Sequence, residues 1–258
     1  MKNVTILLII ILAVISCTKK ENPVEPIDET GKQIIEYFNY EVGNVSNYKS
    51  IISDKQNNKL FEASRISTLS AQVEVDSKQY FVFSEQIKLN NSTSSNEIFL
   101  NFNSGRLEQL VDTSGAYLMV PDSLKGTLVI ELSEASTIFK YPIKSGDKWE
   151  VFLGNVIMGT FKINVISINA KYTGVEQIDL GPNYGTVSAE KVTYTILLNF
   201  PDMSNPFLPN KQYYYADIWF SKNLGVVKFS GSKFFTNFLV GGEINMSDTL
   251  YVENQIRY

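Results

Sequence analysis

Histidine is absent from the 258 residues of this chain, and cysteine occurs once, as Cys17. The missing imidazole excludes histidine-based triads, histidine general bases and histidine-containing zinc sites. A single cysteine excludes a disulfide within the chain, so the core alone must hold the fold. A Gly-x-Ser-x-Gly elbow and a phosphate-binding glycine loop are also missing. We therefore predict that the protein is not an enzyme and has no catalytic residue, metal site or cofactor.

The chain has no large excess of positive or negative charge. The chain has 23 basic and 27 acidic residues, a formal net charge of −4, and no basic cluster. Because nucleic-acid binding depends on clustered Lys and Arg that neutralise phosphates, we exclude nucleic acid as a partner. A pair of carboxylates that meet in space, as in glycosidases, is the one catalytic arrangement that the sequence leaves open.

The one long apolar run stands at the N-terminus. Lys2 supplies a positive charge, residues 4–15 are apolar apart from Thr5, and the small residue Ser16 precedes Cys17. This pattern is typical of a secretory signal peptide, which we place at residues 1–16. The run is too short for a membrane-spanning helix, which needs about 20 residues.

The four residues Val14-Ile15-Ser16-Cys17 resemble the lipobox of bacterial lipoproteins. The resemblance implies signal cleavage between Ser16 and Cys17 and a diacylglyceryl anchor, with acyl chains such as palmitate, on the Cys17 thiol. It implies a protein of the bacterial cell envelope whose first partner is the membrane, reached through lipidated Cys17. The alternative is a free structural cysteine.

Residues 17–30 are predicted to be the lipidated cysteine and a flexible tether. Residues 18–29 contain two prolines, six charges and only two aliphatic residues, which is too little apolar surface to offset the entropy lost on ordering. Thr18 stands where an aspartate would favour retention at the inner membrane in the lipoprotein sorting rule. We therefore favour the outer membrane and leave open which side of it the protein faces.

Residues 31–258 have the pattern of strands. The chain contains 14 Tyr and 16 Phe, types that favour sheets. Apolar residues alternate with polar ones over residues 71–76, 161–165 and 192–200, which predicts one buried face per strand. We predict an all-β fold: an antiparallel twisted meander, either a half-open barrel or a curved sheet like that of lipoprotein carriers, with at most one or two short helices.

Turn residues separate these runs. Residues 221–225 predict a hairpin loop that closes on a left-handed Gly225. The best helix candidate is a capping box formed by Thr30 and Gln33 ahead of Ile34, with an extended entry strand as the alternative. Polar stretches rich in Asn, Ser, Gly and Pro predict further loops at residues 90–96, 181–185 and 201–206.

A second resemblance covers residues 137–230. The segment Tyr141-Pro142-Ile143-Lys144-Ser145-Gly146-Asp147-Lys148-Trp149 is similar to a signature of uncharacterised bacterial lipoproteins, and blocks at residues 185–192 and 219–228 follow in the order those proteins show. Val187 departs from their usual aromatic residue. The resemblance implies an envelope β-protein related to the lipid-binding half-barrels of lipoprotein carriers, and it implies no reaction.

The first of these blocks recurs in the chain. Residues 38–44 align with residues 141–147 at an offset of 103, although Ser46 stands where Trp149 would align. The shared Gly and Asn or Asp predict a tight turn in both places. The alignment suggests two related halves with a boundary near residues 125–137, and chance recurrence of a turn is the alternative.

Three aromatic residues are candidate ligand-facing side chains: Trp149, Trp219 and Tyr214. We expect both tryptophans to be mostly buried in the core. Alternation places Tyr214 on one face of its strand and Tyr213 and Tyr215 on the other, so at least one of them should meet solvent or a ligand.

Two classes of function fit these features. The first is a lipid-anchored, non-catalytic envelope protein that binds another envelope component through its sheet. The alternative is a carrier or sensor of a lipid-like ligand held in an apolar cavity of the curved sheet. A carboxylate-based glycan hydrolase is the second alternative. A continuous apolar pocket of several hundred Å³ would favour the carrier, and a filled core would favour the binding module.

Overall fold

The computed structural model describes residues 34–35, 37–38, 40–75, 77–111, 128–202, 205–240 and 249–256, and only the backbone at 200–202 and 205–209. Ser16, Cys17 and the tether lie outside these residues. Strands dominate the described part: β1 (Val45–Ser53), β2 (Lys59–Val75), β3 (Lys78–Leu89), β4 (Ser92–Asn103), β5 (Arg106–Leu110), β6 (Leu128–Leu132), β7 (Ala135–Lys140), β8 (Lys148–Met158), β9 (Phe161–Asp179), β10 (Thr186–Asp202), β11 (Asn205–Ser221), β12 (Gly225–Ser232) and β13 (Tyr251–Ile256), with one short helix, α1 (Lys233–Leu239).

The 13 strands of the described part form one antiparallel sheet, in the order β6-β8-β9-β10-β11-β12-β13-β1-β2-β3-β4-β5-β7. The sheet is not closed into a barrel. Its two end strands are joined by Ser133 and Glu134 alone, and β6 pairs with β8 while β7 pairs with β5. Because so short a link connects opposite ends, the sheet must curve. The predicted all-β, antiparallel, curved architecture is therefore confirmed.

The alternation in β10 is confirmed where side chains are described. Val192, Tyr194, Ile196 and Leu198 are at most 1% exposed, while the residues between them are half-buried. The pattern predicted for residues 161–165 is wrong at its start, since Phe161 is 73% exposed. That end of the strand extends past the core, and the pairing of β8 with β9 is shifted by a bulge between Gly154 and Asn155.

The turns are shorter than the sequence suggests. Only Asn90 and Asn91 form the turn inside the stretch 90–96, because residues 92–96 pair with β3 as part of β4. Polar residues can continue a strand when both of its faces meet water. Pro201 likewise belongs to β10, opposite Pro209. The hairpin at residues 221–225 is as predicted, with Gly225 at φ 69°.

Two short helical segments fill the concave side of the sheet. Residues 34, 35, 37 and 38 are helical, which confirms the helix expected there, although Thr30 and Gln33 lie outside the described residues. Tyr37 donates a hydrogen bond from its hydroxyl to the carbonyl of Phe220, at 3.2 Å. Within the described ranges, no helix is both long enough and apolar enough to cross a bilayer.

The turn at residues 41–44 has the same backbone geometry as the turn at residues 144–147. Gly43 and Gly146 have φ angles of 97° and 83°. The closing hydrogen bonds occur at the offset of 103: Asn44 N to Glu41 O (3.0 Å) and Asp147 N to Lys144 O (2.9 Å). The bonds that link each turn to the second strand after it, β2 or β9, have the same offset: Leu69 N to Asn44 O (3.0 Å) and Tyr172 N to Asp147 O (2.9 Å). The origin of the two halves by duplication remains a prediction.

Aromatic rings fill the interior of the curved sheet. Phe38, from the first helical segment, contacts Phe139 and Phe220 edge-on, with ring centroids 5.8 and 6.0 Å apart. From α1, Phe235 packs 5.0 Å from the ring of Tyr194. The residues at the centre are fully buried, and they include Tyr194, Phe139, Phe220, Phe235, Leu107, Ile168 and Ile196.

Candidate functional site

Trp219 is buried, as predicted, but it lies outside the main core. Its neighbours in β11, Ile218 and Phe220, belong to the main core, so alternation places Trp219 on the other face of the strand. Its side chain is 6% exposed and belongs to a second, smaller cluster with Tyr48, Leu180, Ala189, Val227 and Ile256. The sheet therefore has apolar packing on both of its faces in this region.

Charged groups surround the Trp219 ring. Lys191 Nζ lies 4.9 Å from the ring centroid and Lys228 Nζ lies 5.2 Å from it. The indole Nε1 donates a hydrogen bond to Glu176 Oε2 at 2.7 Å. Lys191 Nζ also lies 3.2 Å from one carboxylate oxygen of Glu176 and 3.2 Å from one of Asp217. The curved sheet thus brings two carboxylates, two ammonium groups and an indole together.

This cluster holds two carboxylates, the kind of pair that the sequence left open for catalysis. A glycosidase needs one carboxylic acid with a raised pKa. Here the hydrogen bond from Trp219, followed by the contact with Lys191, holds the pKa of Glu176 below its ordinary value. Burial works to lower the pKa of Lys191, but its bonds to Glu176 and Asp217 raise it overall. The arrangement favours a charged, mutually paired network over a proton donor.

Trp149 is partly buried, less completely than Trp219. It packs against the main core from β8, and its Nε1 donates a hydrogen bond to the carbonyl of Thr137 at 2.9 Å. Lys140 Nζ lies 5.5 Å from its ring. Because β7 and β8 are not neighbours in the sheet, this hydrogen bond joins two strands that are not paired.

Tyr214 faces the core side of β11. Its ring stacks on Phe234 with centroids 5.6 Å apart, and its hydroxyl donates a hydrogen bond to Gln212 Oε1 at 2.9 Å. The solvent-facing residues are its neighbours, Tyr213 and Tyr215, which are 53% and 58% exposed. The prediction that Tyr214 lies on one face of β11 and that Tyr213 and Tyr215 lie on the other is confirmed. The exposed face is the one with Tyr213 and Tyr215.

Sequence reasoning missed an ion pair inside the sheet. Arg65 donates from Nε and Nη2 to the two carboxylate oxygens of Glu85, at 2.7 and 3.1 Å, and the Glu85 side chain is 1% exposed. Ser67 Oγ lies 2.6 Å from Glu85 Oε1, and the Arg65 guanidinium lies 4.7 Å above the Tyr48 ring. Burial works to lower the pKa of Arg65, but the Glu85 carboxylate raises it overall. The pair is set by strand register, which single residues in a sequence do not reveal.

A cleft of about 750 Å³ lies across β1, β2 and β3. It is lined by Asn47, Tyr48, Lys49, Glu62, Ala63, Ser64, Lys88 and Asn90. Lys49 and Glu62 form an ion pair at 3.1 Å in this lining. The cleft is open to solvent, so it differs from the enclosed apolar pocket that a lipid carrier requires. Over the described ranges, no group of three or more His, Cys, Asp or Glu side chains is placed to hold a metal ion.

No family model and no curated protein matches the chain. Solved structures of other proteins are similar to it, among them the following three. The first is a predicted exported protein with a YmcC-like fold from Bacteroides fragilis, with 12% identity, a TM-score of 0.46 and coverage of 85% of this chain and 96% of that one. A predicted lipoprotein from Parabacteroides distasonis has 13% identity, a TM-score of 0.44 and the same coverages. The hypothetical lipoprotein YmcC from Escherichia coli has 11% identity, a TM-score of 0.32 and 90% coverage of both chains.

Proposed function

We propose that this chain is a lipid-anchored protein of the bacterial cell envelope, held in the outer membrane through Cys17, and that it acts as a non-catalytic binding module. The anchor is supported by the signal-like N-terminus and by the lipobox-like residues that end in Cys17. One acyl chain binds a membrane only marginally, so stable anchoring needs the several chains that the lipoprotein pathway adds.

The filled interior is the observation that favours a binding module over a lipid carrier. The concave face of the described sheet is packed with aromatic side chains from the sheet and from both helical segments. A carrier would need apolar space there for its ligand. The cleft that the described residues form across β1, β2 and β3 is open to solvent, so it would not shield an acyl chain from water.

Tyr213 and Tyr215 are the side chains that we propose as partner contacts. They lie on the same face of β11, they are more than half exposed, and the strand beneath them is fixed by pairing with β10. Exposed tyrosines on a rigid element supply contact area at a low entropic cost, and they are enriched in binding sites. Catalysis is not part of the proposal, because the one carboxylate cluster described is neutralised by its own lysines.

The anchor is tested by labelling cells with radioactive palmitate. The parent chain should incorporate label and Cys17→Ala should accumulate as an unlabelled precursor, while the matched variant Thr18→Ala should label like the parent. Label in Cys17→Ala, or its absence from the parent, would overturn the anchor.

The binding surface is tested by photo-crosslinking in intact envelopes. A photoreactive phenylalanine analogue at position 215 should give a discrete adduct that is lost when Tyr213 is changed to Ala. The same analogue at Thr173, an exposed residue of β9, is the control and should give none. Equal adducts from both positions, or none from position 215, would contradict the proposed surface.

A further inference from the structure

A third exposed tyrosine lies on the face of the sheet that carries Tyr213 and Tyr215. Tyr251, at the start of β13, is 43% exposed. Its neighbour Val252 belongs to the main core, so alternation turns Tyr251 to the outer face, away from that core. Tyr214 packs against the core in the same way, which places Tyr213 and Tyr215 on the outer face as well. The outer face therefore carries three exposed phenol rings.

Strand register puts Tyr215 and Tyr251 in one row across the sheet. Ala216 of β11 lies opposite Gly231 of β12, and the next residue of β12, Ser232, lies opposite Tyr251. Tyr215 and Tyr251 are therefore separated by Ser232 alone, at right angles to the strands. Two strand spacings place their Cα atoms about 10 Å apart, which is close to the length of a disaccharide.

The same row continues toward β8 with side chains that form hydrogen bonds. Thr195 of β10 lies opposite Tyr215, and Asn169 of β9 lies opposite Thr195. Glu150 of β8 lies opposite Asn169. Asn169 Nδ2 donates to Ser167 Oγ at 2.8 Å, whereas the side chains of Thr195 and Glu150 bond to no other residue of the described part. We name this set the Tyr215 row, and it comprises Glu150, Asn169, Thr195, Tyr215, Ser232 and Tyr251.

The polar side chains of the next row are bonded to other parts of the protein. Thr193 donates a hydrogen bond to Asp217 at 2.5 Å, and Glu253 lies 3.4 Å from Lys228. The Tyr215 row differs, because its hydroxyl, carboxylate and amide oxygen atoms remain available to a ligand. The row also contains no Lys or Arg, so it does not favour an anionic ligand.

These features match the chemistry of a sugar chain. A sugar ring presents C–H groups on its faces, which stack on phenol rings, and hydroxyl groups at its edges, which bond to amide, hydroxyl and carboxylate groups. A protein partner would instead bury a fully desolvated core of apolar side chains. Between β8 and β10 the Tyr215 row consists of polar side chains alone. The row therefore favours a glycan over a protein.

We propose that the Tyr215 row binds an uncharged glycan of β-linked hexopyranose residues, which lies across the strands with sugar rings stacked on Tyr215 and Tyr251. Asn169 and Thr195 bind hydroxyl groups of the same glycan. A β-linked chain suits the row because it is extended and presents C–H groups on both faces of each ring. The inference rests on the proposed function, since it names the partner class of the surface that contains Tyr215.

The experiment titrates the full-length lipidated chain, in detergent micelles, with cellohexaose and with chitohexaose by isothermal titration calorimetry. We expect the parent chain to bind at least one of these two probes. Tyr215→Ala and Tyr251→Ala should each weaken that binding about tenfold, because one stacked ring is lost. Tyr251→Phe, which keeps the ring, should restore most of the affinity. Phe161→Ser is the matched control: it removes an aromatic ring that is 73% exposed outside the row, and it should bind like the parent.

Two results would overturn the glycan: no binding of either probe by the parent chain, or binding that both alanine variants retain in full. The photo-crosslinking experiment at position 215 separates this failure from failure of the proposed function. An adduct that protease digests, from a chain that binds neither probe, would overturn the glycan and leave the binding surface in place. The absence of both the adduct and the probe binding would contradict the surface itself.

Discussion

Replacement of Trp219 by Ala should destabilise the protein by about 3–5 kcal/mol, from lost transfer free energy and a residual cavity. The indole is 6% exposed and fills the second cluster between Leu180, Ala189 and Val227. It also supports Lys191 and Lys228 through ring contacts. Without a disulfide, this loss would be a large share of the roughly 5–15 kcal/mol that holds a typical domain together.

Two companion variants separate the loss of packing from the loss of the hydrogen bond and from the effect of a change at an exposed site. Trp219→Phe keeps most of the ring but removes the Nε1 donor to Glu176; because the Glu176 side chain is 46% exposed and can be rehydrated, this change should cost about 1 kcal/mol. Tyr215→Ala, at an exposed site, should stay within about 0.5 kcal/mol of the parent.

Urea unfolding of the mature chain, followed by circular dichroism, measures all three. A Trp219→Ala variant within about 1 kcal/mol of the parent would refute the packing argument. A Tyr215→Ala variant that matched it would show that the assay reports a general loss of structure.

Three further changes test other parts of the structure. Glu85→Ala leaves the Arg65 charge buried without its partner and should cost about 3–5 kcal/mol in urea unfolding, most of which a paired replacement by Leu and Met should recover. Gly231→Ala should cost about 1–3 kcal/mol in the same assay, because its Cβ would lie 2.5 Å from Ala216 Cα. Burial, then the bond to Glu190, raises the pKa of Tyr172 to about 12; since the unfolded chain releases this proton near pH 10, the free energy of unfolding should fall as the pH rises from about 10 to about 12.

Each of these three predictions has an outcome that would contradict it. A Glu85→Ala variant as stable as the double replacement would show that the ion pair is not effectively buried. A neutral Gly231→Ala would mean that β11 and β12 can separate at no cost. Tyrosine absorbance at 295 nm that titrates completely near pH 10, with the fold intact, would contradict the burial of Tyr172 and Tyr194.

The fold class could be predicted from the sequence because the alternation of side chains is a local property. Val192 to Leu198 along one face of β10 is enough to indicate a half-buried strand. The turn at Gly225 was predictable for the same reason, since its positive φ is a requirement on that residue alone.

The parts that could not be predicted depend on contacts between distant residues. Trp219 is buried by residues of other strands, whereas Trp149 is partly buried and lies near the junction of the end strands. The Arg65–Glu85 pair needs the register of β2 against β3. Phe161 is exposed because β9 extends beyond the core. How far a strand extends relative to its neighbours cannot be predicted from the residues of that strand alone.

The central claim, a lipid-anchored module with a filled interior, is tested most directly by native mass spectrometry of the protein extracted from the envelope in mild detergent. We predict a single species that begins at Cys17, carries covalent diacylglyceryl and acyl groups, and holds no dissociable lipid. A species that retains Met1 would contradict the anchor. A lipid released from the folded protein at one copy per chain would contradict the filled interior and would favour the carrier.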